Sequence, residues 1–375
     1  MVSLPSRITG FDGIGLAARE SNDVVIVEDK MVFMGTIGIL EAPGGGPRVI
    51  RAETSSDLCF MIKDVIKMQK KDTRLAVLVS DKMIKKLPIL LKEIYGSGSI
   101  KSGPYVSLSI TIGIESNGVP NLDATGVYEF ADLGFPIISP STTQECFDYT
   151  QIASVAAVAL RMPVINYFDA DNLNFGTFYR ANTSEPSKCI TERYETYYKQ
   201  AIKSKGGLDM TLREKMNLIM KASYRTSTVD YEGSPIAETV FVSIGDYDIF
   251  KYLDNTPTGC LSLHVFRPFP LDAVLKKIPK SVKRIVILDQ VCDLNGASSS
   301  LYNNFKALVD EYSISENFDN VPYIVELESS YSIPIILSHP PYFWKFFSHI
   351  AKIHSACEIR LDKILGFPEK DDIEY

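Results

Sequence analysis

Short runs of β-branched and aliphatic residues alternate with longer amphipathic stretches along most of the chain. This alternation is typical of βαβ units built around a largely parallel sheet. The predicted strands are residues 24–27, 75–79, 105–112, 163–168, 239–244, 260–265, 284–288 and 323–327. The predicted helices are residues 56–69, 82–94, 123–133, 142–160, 271–278, 299–312 and 341–354. The pattern therefore predicts an α/β protein with two series of strands and helices.

A segment of different character separates the two series. Residues 188–205 and 209–224 predict two polar helices rich in Lys, Arg and Tyr, joined at a Gly-Gly pair. No strand-like run interrupts them, which favours a connector over a third sheet. We therefore expect four regions, namely a first domain (1–175), a helical connector (176–234), a second domain (235–330) and a terminal helix with an acidic tail (331–375).

Composition narrows the class of protein. The 375 residues include 39 Lys and Arg against 46 Asp and Glu, a net charge of -7, and 45% are hydrophobic. This balance disfavours nucleic-acid binding and is too apolar for a disordered chain. Neither a run of about 18 apolar residues nor an apolar leader region is visible, so we expect a cytoplasmic protein without a membrane partner. The six cysteines stand singly, which predicts reduced thiols and neither a metal site nor an iron–sulfur cluster from local spacing.

Two places carry candidate binding residues. Ser141-Thr142-Thr143-Gln144 has a capping-box pattern and follows a strand-like run at 135–139. The favoured interpretation is a structural cap formed by Ser141 with Thr142 exposed, and the second is an anion or phosphate site at the helix N-terminus. Asp169 and Asp171 follow the strand 163–168, at the edge where ligands of open α/β sheets bind. A surface turn explains these two carboxylates equally well, and no further metal ligand lies near them in sequence.

Glycine-rich segments and motif searches add little chemistry. Residues 13–18 (Gly-Ile-Gly-Leu-Ala-Ala) fit the dinucleotide-binding fingerprint in its final-Ala form, but no apolar strand precedes them. Residues 43–47 (Pro-Gly-Gly-Gly-Pro) lack the Lys-Ser/Thr of a phosphate-binding loop, and a hairpin loop is the simpler interpretation. The absence of Gly-x-Ser-x-Gly and His-Glu-x-x-His excludes serine hydrolases of that type and zincins, so no catalytic residue is predicted.

Two longer stretches carry a resemblance to a known family. Residues 134–149 (Gly-Phe-Pro-Ile-Ile-Ser-Pro-Ser-Thr-Thr-Gln-Glu-Cys-Phe-Asp-Tyr), with 153–161 and 163–169, resemble the end of the first domain of pyruvate:ferredoxin oxidoreductases. Residues 263–270 (Leu-His-Val-Phe-Arg-Pro-Phe-Pro) and 283–289 (Lys-Arg-Ile-Val-Ile-Leu-Asp) resemble the second domain of the same family. The resemblance implies a thiamine-diphosphate-fold-like, pyrimidine-binding-type first domain and a transketolase C-terminal-like second domain.

Departures from the family bear on function. The family's Tyr-Pro-Ile-Thr-Pro element has no counterpart in the first fifty residues, and its cysteine clusters and diphosphate-binding Gly-Asp-Gly module are absent from the sequence. Residues 172–175, 238–242 and 293–301 look similar to the amino-terminal region of assimilatory NADPH-sulfite reductase flavoprotein subunits. That region resembles the same two domains without their catalytic residues.

These resemblances imply a catalytically degenerate module that acts as a scaffold or subunit in a sulfite-reductase-like electron-transfer complex of sulfate assimilation. Its expected partners are other oxidoreductase subunits, such as a flavoprotein or a hemoprotein. Ser141, Thr142, Asp169 and Asp171 would line a relic cofactor cleft, Arg267 would be structural, and no bound cofactor is expected.

Two alternatives stay open. The chain resembles the α subunit of a multi-subunit 2-oxoacid:ferredoxin oxidoreductase, whose thiamine diphosphate and magnesium would sit at an interface with another chain. The Asp169 edge and the Ser141 helix start would then face that cofactor, although the missing Tyr-Pro-Ile-Thr-Pro element counts against it. A third class is a small-molecule binding or regulatory protein unrelated to redox chemistry.

Overall fold

A computed structural model describes residues 7–68, 72–96, 105–114, 125–169, 176–177, 187–205, 207–223, 226–245, 256–289, 299–312, 318–329, 337 and 339–366. The chain divides into two compact units. Unit 1 comprises Met1–Glu115 and Glu129–Ser227, and unit 2 comprises Ser116–Tyr128 and Thr228–Tyr375. Each unit contains a largely parallel sheet, which confirms the predicted α/β class.

The elements up to residue 223 alternate between strands and helices. In chain order they are β1 (Arg7–Ile8), α1 (Gly10–Ser21), β2 (Val24–Glu28), α2 (Met34–Leu40), β3 (Arg48–Ala52), α3 (Ser55–Met68), β4 (Thr73–Ser80), α4 (Leu87–Tyr95), β5 (Val106–Ile114), α5 (Thr125–Asp132), β6 (Ile137–Ile138), α6 (Thr143–Leu160), β7 (Val164–Asp169), β8 (Gly176–Thr177), α7 (Ser187–Ser204) and α8 (Leu212–Ser223). Short 3-10 helices, Met31–Phe33 and Asp81–Lys86, precede α2 and α4.

Six strands of unit 1 lie side by side in the order β6-β7-β5-β4-β2-β3 and are all parallel. Every residue of β2 and β5 is buried, and β4 is buried apart from Arg74. Burial along the whole length of these strands is what a parallel sheet covered on both faces produces. The β1 and β8 strands form a separate antiparallel pair.

The elements after residue 227 include the six strands of the second sheet. They are β9 (Val229–Gly233), β10 (Thr239–Ile244), β11 (Thr258–Leu263), β12 (Val265–Arg267), α9 (Leu271–Lys277), β13 (Arg284–Leu288), α10 (Ser300–Tyr312), β14 (Tyr323–Glu328), α11 (Pro340–Ile350), β15 (Cys357–Arg360) and α12 (Leu361–Leu365). The strand order is β15-β14-β13-β10-β11-β9, parallel except that β9 runs antiparallel to β11.

The carboxyl-terminal segment completes the core of unit 2. Phe343, Phe346 and Ile350 of α11 are at most 1% exposed and pack with Phe241 and Val286 of the sheet. The β15 strand extends the same sheet beside β14. Residues 340–366 are therefore structurally part of this unit and not an appended tail.

The four-part division of the chain stays a prediction, and the described residues show two departures from it. Helices α7 and α8 of the expected connector belong to unit 1, where both pack on α6. The expected connector also contains the strand β9, which pairs with β11. Finally, residues 43–47 join α2 to β3, and β3 is parallel to β2, so the hairpin interpretation of this loop was wrong.

Candidate functional site at the carboxyl edge of the unit 1 sheet

Three of the four predicted cleft residues lie at one edge of the first sheet. Ser141 and Thr142 follow β6, and Asp169 ends β7. Because β6 and β7 are parallel neighbours, with Ile138 paired to Asn166, their carboxyl ends lie at the same edge. Asp171 lies outside the described residues, and the assignment of all four to a cleft stays a prediction.

The α6 helix begins with a capping box that is one residue later than the sequence pattern suggested. Thr142 is the N-cap, and its hydroxyl accepts a hydrogen bond from the Glu145 amide at 3.2 Å. The Glu145 carboxylate accepts hydrogen bonds from the amides of Ser141 at 2.7 Å and Thr142 at 3.1 Å. This turn is therefore a structural helix cap, as the favoured interpretation had it, but the N-cap is Thr142 and not Ser141.

A second helix at this edge, α1, also begins with a capping box. Thr9 caps α1, its hydroxyl accepts from the Asp12 amide at 3.1 Å, and the Asp12 carboxylate accepts from the Thr9 amide at 3.0 Å. Phosphate groups bind at helix N-termini through free amides and the positive end of the helix dipole. At both helix starts a carboxylate takes up amide groups and adds negative charge. These residues do not fit the diphosphate of thiamine diphosphate.

The strand order identifies a topological switch point that sequence reasoning missed. From β2 the chain continues to β3 on one side, and then returns to β4 on the other side of β2. Ligands of open α/β sheets bind outside the carboxyl ends of strands at such a switch point. Glu28 ends β2 there, is 7% exposed, and accepts a hydrogen bond from the Ser80 amide at 2.6 Å. Only the sheet order reveals this position, since neither residue belongs to a motif.

The glycines of the dinucleotide-like segment serve helix packing. Residues 13–18 lie inside α1 and not in a strand-to-helix turn. A Cβ atom at Gly15 would lie 2.9 Å from Cγ2 of Thr36 in α2, and one at Gly13 would lie 3.2 Å from the carbonyl oxygen of Thr143 in α6. Glycine is therefore required because three helices approach closely, and the dinucleotide interpretation is wrong.

The Pro-Gly-Gly-Gly-Pro loop and the end of α2 bind the side chain of Arg19. The guanidinium of Arg19 donates to the carbonyl oxygens of Ile39 at 3.0 Å, Leu40 at 2.7 Å and Pro43 at 3.4 Å, and also to that of Gly45. The loop thus directs carbonyl oxygens inward. A phosphate cradle needs amide groups at those positions.

In unit 2, a buried histidine stands in an ion cluster. His264 follows β11, is 2% exposed, and its Nε2 lies 3.1 Å from the Asp230 carboxylate of β9. Lys277 of α9 donates to the other Asp230 oxygen at 2.9 Å. The hydrogen bond with His264 is the main reason that the pKa of Asp230 is held well below its usual value. The cluster ties the edge strand β9 to β11 and α9.

Comparison with known proteins agrees with this architecture. No protein-family model matches the chain. A solved structure, 2-oxoglutarate:ferredoxin oxidoreductase from Magnetococcus marinus with 2-oxoglutarate, coenzyme A and succinyl-CoA bound, aligns with a TM-score of 0.54 and 12% identity over 88% of this chain and 64% of that chain. The two parallel-sheet units and this alignment confirm the predicted fold class, a thiamine-diphosphate-type domain with a transketolase C-terminal-like domain.

Sequence comparison extends the result to homology. The pyruvate:ferredoxin oxidoreductase of Moorella thermoacetica is 23% identical over 228 residues, which is 51% of this chain and 19% of that protein. The pyruvate-flavodoxin oxidoreductase of Enterobacter agglomerans is 24% identical over 216 residues, 48% of this chain and 18% of that protein. The chain is a distant homologue of the pyruvate:ferredoxin oxidoreductase family, and it spans about a fifth of the length of these relatives.

Among the helices formed by the described residues, none combines the length and apolar character needed to cross a bilayer.

Proposed function

We propose that this chain is a catalytically degenerate module of the pyruvate:ferredoxin oxidoreductase superfamily that acts as a scaffold or subunit in an oxidoreductase complex. Its homologues are oxidoreductases, which supports the class of assembly. The particular assembly we propose is an NADPH-sulfite-reductase-like electron-transfer complex of sulfate assimilation. Its flavoprotein or hemoprotein would be the partner, as the resemblance of residues 238–242 to sulfite reductase flavoproteins implies.

The capping boxes at the N-termini of α1 and α6 support the proposal that the chain is not catalytic. Asp12 and Glu145 bind the N-cap amides of their helices and place a negative charge at each helix start, at the sheet edge where ligands bind in this fold class. Both carboxylates also repel a phosphate. A scaffold keeps such caps because they stabilise the helices, each typically by about 1 kcal/mol.

A titration with thiamine diphosphate and magnesium tests this point. Calorimetry on the chain should show no saturable binding, and Glu145→Gln should behave as the wild type if the cleft is a relic. A tight complex with the wild-type chain would overturn the proposal. Affinity purification with mass spectrometry then tests the partner, because a sulfite reductase flavoprotein or hemoprotein is expected. Recovery of a 2-oxoacid oxidoreductase subunit instead would contradict that assignment.

One observation favours a second candidate function. The aligned solved structure is a 2-oxoglutarate:ferredoxin oxidoreductase, and the alignment covers 88% of this chain. Under this alternative the chain is an α subunit, and thiamine diphosphate would supply the chemistry at an interface with another chain. Ser141, Thr142 and Asp169 would face that interface. Cofactor binding that appears only after the co-purified partner is added would support the alternative.

A further inference from the structure

The helical hairpin formed by α7, its loop and α8, here called the basic hairpin, differs in charge from the rest of the chain. Residues 187–223 contain eight Lys and Arg against four Asp and Glu, whereas the whole chain has 39 against 46. A positively charged surface on an otherwise acidic protein attracts acidic partners and accelerates their association.

Two of the four acidic residues of the hairpin, Asp209 of the loop and Glu214 of α8, are bound within the hairpin. Asp209 lies 3.1 Å from the ammonium of Lys215. Glu214 pairs with Lys205, and this contact is the main reason that its pKa falls to about 2. These two carboxylates are therefore ionised, and each is neutralised by a cation of the hairpin itself.

Two lysines of α7 contribute to the excess positive charge. Lys199 and Lys203 are exposed and lie one turn apart, so their side chains project from the same face of the helix. Neither makes an ion pair within the part of the chain that the structure describes. An acidic group that approaches this face meets two ammonium groups that no described carboxylate pairs, and the exposed Glu195 lies one turn before Lys199 on the same face.

An exposed apolar side chain lies in the loop of the hairpin. Leu208 is 71% exposed and lies four residues after the end of α7. Its position is defined, because Gly207 has a φ of +89° and its amide donates to the carbonyl oxygen of Ile202 at 2.9 Å, as in a helix C-cap. The basic hairpin thus presents an exposed apolar group as well as exposed cations.

We propose that the basic hairpin is a docking surface for an acidic protein segment. Carboxylates of the partner pair with Lys199 and Lys203. An apolar pocket of the partner receives Leu208. The apolar contact favours a protein over a nucleic acid, which would need only the cations. The proposal does not depend on the function proposed above.

The test uses a fluorescein-labelled peptide that alternates Glu with Leu, and measures its binding to the full chain by fluorescence anisotropy. The double variant Lys199→Gln/Lys203→Gln should bind about tenfold more weakly at low salt, since exposed charge pairs are individually weak. This difference should vanish at about 1 M salt, where screening is short-ranged. Leu208→Ser should weaken binding several-fold at every salt concentration. The matched control is Lys82→Gln/Lys85→Gln, which removes two exposed lysines from the 3-10 helix before α4.

Three outcomes of the binding measurements would overturn the proposal. One is the absence of peptide binding by the wild-type chain, and another is equal weakening by the control pair. The third is tighter binding of a single-stranded oligonucleotide than of the peptide, which would point to a nucleic acid. Analytical ultracentrifugation completes the test, because a wild-type dimer that Lys199→Gln/Lys203→Gln dissociates would make a second copy of the chain the occupant and refute a heterologous partner.

Discussion

Replacing Gly15 by alanine tests whether the glycines of α1 exist for helix packing. The new Cβ would lie 2.9 Å from Cγ2 and 3.2 Å from Cα of Thr36. Thr36 is 1% exposed, and its hydroxyl donates to the carbonyl oxygen of Phe11 at 2.9 Å, so rotating this side chain away would break a buried hydrogen bond. The contact can be relieved only by moving α1 and α2 apart or by losing that bond.

The expected magnitude follows from two opposing effects. Overpacking of a tight interface typically costs about 1–3 kcal/mol. Alanine in place of a helical glycine gains roughly 1 kcal/mol from backbone entropy. Gly15→Ala should therefore lower the free energy of unfolding of unit 1 by about 1 kcal/mol. Gly38→Ala is the matched control, because a Cβ at Gly38 of α2 meets nothing within 4 Å, and it should stabilise the unit by about 0.5–1 kcal/mol.

Urea-dependent hydrogen exchange on peptides from α1 and α2 is the suitable assay. The single tryptophan, Trp344, lies in unit 2, so its fluorescence follows the other unit. In the double variant Gly15→Ala/Thr36→Ser the closest contact is removed while the hydroxyl remains, and we expect a coupling energy of about 1 kcal/mol. Equal stability of the Gly15 and Gly38 variants would refute the packing argument.

Three further perturbations have defined outcomes. Phe346→Ala should lower the stability of unit 2 by about 3–5 kcal/mol in urea titrations followed by Trp344 fluorescence, and a smaller loss would contradict its place in the core. Thr142→Ala should cost about 1 kcal/mol through loss of the α6 cap, with Thr142→Ser as the conservative control that retains stability. Asp230 has a folded pKa below its unfolded value, so its stabilising contribution is complete above about pH 4 and is lost as the pH falls. Asp230→Asn should therefore reduce the loss of unfolding free energy that the wild type shows at acid pH. An unchanged loss would exclude the ion cluster as the cause of this acid sensitivity.

Much of the secondary structure follows from local pattern. The observed bounds of β10 and β13 coincide with the predicted runs 239–244 and 284–288. Both are short, aliphatic and buried, and such runs are typical of central parallel strands. In contrast, α1 was not predicted, because its three glycines lower helix propensity. Burial on nearly all sides of this helix compensates for that deficit, and burial depends on α2 and α6.

The candidate site was only partly accessible from the sequence. The start of α6 was foreseen within one residue, and the acid three residues after Thr142 is the signal that identifies it as the N-cap. Glu28 and Ser80 were missed. They are 52 positions apart and belong to no motif, so only the pairing of β2 with β4 brings them together.

The sequence by itself determined many of the strands and helices and which family the chain resembles, because propensity, periodicity and capping act between residues a few positions apart. The tertiary structure alone decided the order of the strands, the switch point beside Glu28, the packing role of Gly15 and the membership of α7 and α8 in unit 1. These features arise from contacts between distant segments. Their energies depend on which faces meet, and a local pattern does not contain that information.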